Sequence, residues 1–219
     1  MRHLAILALA IAAVSACTTV PDRAYYPDPA DPDTKAVSHA LWRAALAAGD
    51  DPRRYSFALV ATQDVTAYSA DDAVLYVTRG LARQPRHVLE PLIATQVGHE
   101  VLGHRGERRT LAVALGASFT VLGVAVPGLG LLDLFASPLI IRAWTRDQAL
   151  AADRKAVDVL GEMGYPAPRR ALADALRTAA SVNGPPQGGM LAAEPQLDAR
   201  LAALEPLEPL AKATTPRVR

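Results

Sequence analysis

The chain has 219 residues, 51% of them apolar, which is enough for one domain with a buried core. Its 23 lysines and arginines nearly balance 22 aspartates and glutamates, so no basic excess points to nucleic acid or an anionic surface. A single cysteine excludes an internal disulfide.

That cysteine closes an export-type start. Met1-Arg2-His3 is basic, Leu4 to Val14 is an unbroken apolar run, and small residues lead into Cys17. Eleven apolar residues are too few to span a bilayer as a helix, so 1–16 reads as a cleaved signal peptide. Val14-Ser15-Ala16-Cys17 resembles a bacterial lipobox, which implies lipidation at Cys17; an ordinary signal cut elsewhere is the alternative. The resemblance implies a lipid-anchored protein of the bacterial cell envelope. Because Thr18 is not the aspartate associated with inner-membrane retention, an outer-membrane anchor facing the periplasm is expected.

Residues 17–35 are dense in Pro and Asp, which disfavours helix and ladder pairing, and are expected to form an extended tether. The domain is expected over 36–204. Ala36 to Ala48 has helical spacing and is stopped by Gly49-Asp50-Asp51-Pro52. Tyr55 to Ala61, Val65 to Tyr68 and Val74 to Val77 are rich in strand formers, with Asp71-Asp72 a turn, so a small antiparallel sheet is expected.

The next helix is expected from about His87 to Arg108, with Gly98 and Gly103 inside it, each costing about 1 kcal/mol relative to Ala unless neighbouring backbone packs closely. Leu111 to Leu132 carries no charge and is long enough for a membrane span, but Pro127 among glycines breaks it. Two short buried or membrane-skimming helices joined by a Pro-Gly turn are expected there in preference to a crossing, with an integral membrane protein anchored through Leu111 to Ile141 the alternative. Trp144 to Met163 and Ala167 to Val182 read as helices, Asn183 to Gly189 as a flexible loop, and 205–219 as a Pro-spaced flexible tail.

The chemistry concentrates in Thr95 to His104, TQVGHEVLGH. His99-Glu100 and His104 suggest the zinc motif H-E-x-x-H, but five residues separate the histidines, about 140° around a helix, too far to share one ion without a π-bulge. A different register fits better. Set against H-E-x-x-H-x-x-x-G-H, the segment matches at His99, Gly103 and His104, with Thr95 at the first ligand position and Gln96 at the general base. Farther on, Ala149-Leu150-Ala151-Ala152-Asp153-Arg154 and Gly164-Tyr165 follow a pattern E-x-x-A-D-R…G-Y, with Ala149 where that pattern has Glu. Glu194-Pro195 and Arg200 follow H-P…R, and Leu75 to Leu81 follows a "YVTRGL" stretch.

On these segments, spanning roughly 37 to 204, the chain resembles the gluzincin zinc peptidases of the HtpX and CAAX-prenyl-protease family. The resemblance implies an α+β, mainly helical, zincin-like metallopeptidase fold with a small antiparallel sheet beside the former active-site helix. It also implies degeneracy: a threonine hydroxyl is a poor zinc ligand, an amide is no base, and a methyl group binds nothing. His99 is the vestigial ligand, Ala149 the lost one, and His104, Asp153, Glu194 and Arg200 belong to the cleft or its supporting shell. Asp153 is expected to hydrogen-bond His99 or Arg200, while His39 and His87 are expected at the surface.

The implied function is a pseudopeptidase with no cofactor, binding or scaffolding envelope polypeptides in protein quality control or outer-membrane assembly. The alternative is an active zinc-dependent endopeptidase with non-standard ligands, such as His99, His104 and a carboxylate.

Overall fold

The computed structural model describes residues 23–69, 73–103, 133–184 and 197–209. In chain order its elements are β1 (Ala24–Tyr25), α1 (Pro32–Ala47), a 3-10 turn (Pro52–Arg54), β2 (Ser56–Val60), β3 (Ala67–Ser69) and β4 (Val74–Thr78). There follow α2 (Arg79–Ala82), α3 (Arg86–Val101), α4 (Asp133–Glu162), α5 (Pro168–Asn183) and α6 (Leu197–Leu204). The class is α+β and mostly helical, as the sequence suggests.

The sheet is mixed rather than antiparallel. Its order is β1-β2-β4-β3, with β2 and β4 parallel (Phe57 opposite Leu75) and antiparallel pairs at each edge. The antiparallel pairing of β3 with β4 met the sequence expectation, while the turn expected at Asp71-Asp72 lies outside the described residues; β4 inserts between β3 and β2 and runs parallel to β2. The Pro/Asp-rich segment also departs from expectation. Ala24 and Tyr25 pair with Val60 and Leu59, and Pro32 sits in the first turn of α1, where a missing N–H costs nothing, under an Asp31 side chain that accepts from Asp33 N.

Side-chain alternation gives the sheet two faces. Leu59, Leu75 and Val77 point into the main core, while Val60 and Tyr76 form a smaller cluster on the other side. There Tyr68 stacks on Tyr76 with ring centroids 5.4 Å apart. Helix α3 lies centrally, packed on α1, α4 and α5, and buries Val88, Leu89, Ile93 and Val97.

α3 approaches α4 closely because Gly98 lacks a side chain: a Cβ there would lie 2.9 Å from the Ala152 carbonyl oxygen. The expected role of Gly98 is therefore met. Gly103 is different. The helix ends at Val101, short of Arg108, and Gly103 has φ +68° with its N–H on the Glu100 carbonyl at 2.9 Å, so it terminates the helix. The spacing could not distinguish a glycine inside a helix from one that ends it.

The motif glycines beyond α3 also have structural causes. Gly80 lies against the loop before β3, where a Cβ would sit 2.1 Å from the Gln63 carbonyl oxygen. Gly164, at φ +87°, closes α4: its N–H bonds Gly161 O at 2.9 Å and that of Tyr165 bonds Leu160 O at 3.0 Å. This cap delivers the Tyr165 hydroxyl to Glu90, 2.7 Å away. Glu90 is 1% exposed and also receives Arg43 at 2.5 Å and Arg86 at 2.7 Å, so its buried charge is compensated by donors from three segments.

α4 begins at Asp133, eleven residues before the expected start at Trp144, and the two short helices expected on 111–132 lie outside the described residues. Among the described residues no helix is long and apolar enough to cross a membrane. Glu205 to Pro209 were expected to fray, but Glu208 accepts from the backbone N–H groups of Arg169 and Arg170, 2.9 Å each, at the start of α5. His39 and His87 are exposed, as expected.

Candidate functional site

On α3, Thr95, Gln96 and His99 occupy positions i, i+1 and i+4, which share one side of the helix. Opposite them α4 presents Ala149 and α6 presents Arg200. All five line one cavity of about 450 Å³, whose remaining wall comes from the segment leading into β3 and from α5. Positions separated by more than a hundred residues, aligned only by motif spacing, thus meet around a single space.

Each carries distinct chemistry. Ala149 puts a methyl where a carboxylate was sought and is 8% exposed. The Thr95 hydroxyl sits 3.3 Å from the Pro91 carbonyl oxygen and 3.5 Å from Asp153 Oδ1, bound to its own helix. Gln96 uses its carboxamide oxygen to accept the Ser69 N–H at 3.0 Å. His99 is the one imidazole on the wall among the described residues. Glu100 points elsewhere, with Oε1 3.8 Å from Arg54, so it is not a neighbour of His99 across the cavity.

Beneath this wall Asp153 is fully buried, and Arg200 holds both its oxygens: Nη2 to Oδ1 at 2.6 Å and Nε to Oδ2 at 2.7 Å. Of the two partners expected for Asp153, the contact found is Arg200. A bidentate fork of this kind offsets desolvation of the carboxylate and fixes α6 over α4. His104, Glu194 and Cys17 lie outside the described residues.

A zinc centre needs about three protein donors with at least one open position. Thr95, Gln96 and Ala149 supply none of that quality, and Asp153 is consumed by Arg200. Among the described residues no three His, Cys, Asp or Glu side chains come together at metal spacing. The described residues of this wall do not make up such a donor set.

One residue of the site escaped the sequence reading. Asn183, expected to open a flexible loop, is the last residue of α5, and its carboxamide pairs with the backbone of Val65: Val65 N to Oδ1 at 2.7 Å and Nδ2 to Val65 O at 3.1 Å. An Asn beside Gly184 signals a helix end, but nothing in the sequence names Val65 as its partner.

Neither protein-family models nor curated proteins give a match to this chain.

Proposed function

We propose that the protein is a lipid-anchored cell-envelope protein with a zincin-like fold and no hydrolytic centre, which binds or scaffolds an envelope polypeptide. The fold assignment draws on the relation of α3 to the sheet: the motif helix lies beside edge strand β3, with Ala149 of α4 facing it across the cavity. The observation that carries the loss of hydrolysis is the Gln96 to Ser69 bond. At the position of a general base stands an amide that can take no proton from water and whose oxygen is engaged by backbone. What remains is a cavity beside a strand edge, a geometry suited to holding polypeptide without cutting it. The envelope location rests on Cys17 and its resemblance to a lipobox.

The test uses the full chain with fluorescently labelled unfolded casein as probe. Binding that persists in excess chelator, with no fragments released, is the expected result. Chelator-sensitive cleavage abolished by His99→Ala would instead establish the endopeptidase with non-standard ligands.

A further inference from the structure

The register of the sheet shows which backbone groups of β3 face the cavity. Thr78 N donates to Thr66 O and Thr66 N to the Thr78 hydroxyl, so both Thr66 groups face β4, and by alternation Tyr68 and Tyr76 form the next hydrogen-bonded pair. The N–H and C=O groups of Val65, Ala67 and Ser69 therefore point away from β4, toward the open edge. Two of these three positions are filled by side chains. Asn183 meets both groups of Val65 with its carboxamide, making the two-bond ring that a neighbouring strand would make. Gln96 takes the N–H of Ser69. Ala67, between them on the cavity wall, has no partner on that side among the described residues.

We propose that Asn183 and Gln96 act as fixed stand-ins for the backbone of a bound strand and limit the cavity to a polypeptide paired through one residue, opposite Ala67. An extended ligand pairs at every second residue, about 7 Å apart, so its next contacts would fall on Val65 and Ser69. Both groups of Val65 and the N–H of Ser69 are taken, so the ligand must leave the edge on both sides. The site accordingly reads a kinked segment or a chain end and rejects a long regular strand. The apolar wall from Leu92, Leu176 and Leu197 receives the one side chain that enters. This inference rests on the proposed polypeptide binding.

The test titrates the full chain with N-acetylated, C-amidated Ala-Val peptides of one to six residues, reading backbone amide shifts and hydrogen exchange. In the free protein the Val65 and Ser69 amides should be protected and Ala67 should exchange fast. Peptide should slow Ala67 alone, and affinity should change less than about threefold beyond three residues. In Gln96→Leu the Ser69 amide should become exchangeable and the six-residue peptide should gain more than tenfold. Gln96→Glu, which keeps an acceptor, should behave as wild type. Affinity that climbs steadily with length in the wild type, or protection of Ala67 before peptide is added, would overturn the one-residue limit while leaving polypeptide binding intact. If no peptide binds to wild type or Gln96→Leu, although both are folded, the binding reading itself falls.

Discussion

Arg200 grips the buried carboxylate of Asp153 through two hydrogen bonds, 2.6 and 2.7 Å long, that bridge α6 and α4 beneath the cavity. Removing the guanidinium leaves a fully buried charge with, among the described residues, the Thr95 hydroxyl as its remaining side-chain contact. Arg200→Ala is therefore expected to cost about 3–5 kcal/mol in denaturant unfolding. Arg200→Lys should restore only part, since a point charge cannot form the fork. An unchanged midpoint in Arg200→Ala would show that the pair contributes nothing to the fold.

A second buried carboxylate, Glu90, offers a separate measure. The Tyr165 hydroxyl donates to it at 2.7 Å, a bond to a charged group, and Tyr165→Phe should cost about 1.5–3 kcal/mol. Because Arg43 and Arg86 would still hold Glu90, the variant should fold, and thermal melts would read the loss directly.

Glycines of similar appearance in the sequence should respond with opposite signs. Gly80→Ala drives a Cβ against the carbonyl oxygens of Gln63 and Asp64, at 2.1 and 2.4 Å, and should cost about 3 kcal/mol or more. Gly161, in the last turn of α4, meets nothing within 4 Å, and Gly161→Ala should stabilise by about 0.5–1 kcal/mol. Equal effects of the two in urea titrations would contradict the close approach at Gly80.

Stability should fall on both sides of neutrality. Burial, with the hydrogen bond to Asp50, pushes the Tyr55 hydroxyl up, and burial with the bond to Glu90 does the same for Tyr165. Both prefer the proton more in the folded chain, so their contribution is whole below the unfolded value, about 10, and is lost as pH rises beyond it. Burial raises the carboxyls of Asp50 and Glu208, but hydrogen bonds from Tyr55 and Arg54, and from the Arg169 and Arg170 amides, outweigh it and hold both below their usual range. Their contribution is present above the unfolded carboxylate value and disappears as pH falls through the folded one. Urea midpoints against pH should show both limbs, with the alkaline limb flattened in the Tyr55→Phe/Tyr165→Phe double variant.

Helical periodicity, a local signal, was enough to put Thr95, Gln96 and His99 on one side of a helix; Ala149 and Arg200, which line the same cavity, were singled out only by the family resemblance. Neither was enough for contacts whose partners are named only by the tertiary fold. Asn183 meets Val65 across 118 residues, and Tyr165 meets Glu90 across 75; neither pair has a sequence signature. The parallel pairing of β2 with β4 was hidden for a related reason, since alternation identifies strands but not their order. Gly103 misled because the same residue serves a helix interior or its end, and φ alone distinguishes them.

The proposal that the site holds no hydrolytic centre is tested most directly by elemental zinc analysis of the purified full chain beside the triple variant Thr95→His/Gln96→Glu/Ala149→Glu. Three donors facing one cavity should recover the ion, so the variant is expected to hold close to one zinc per chain and the wild type essentially none. Stoichiometric zinc in the wild type, released by His99→Ala, would contradict the reading of this site as a binding cavity without a metal.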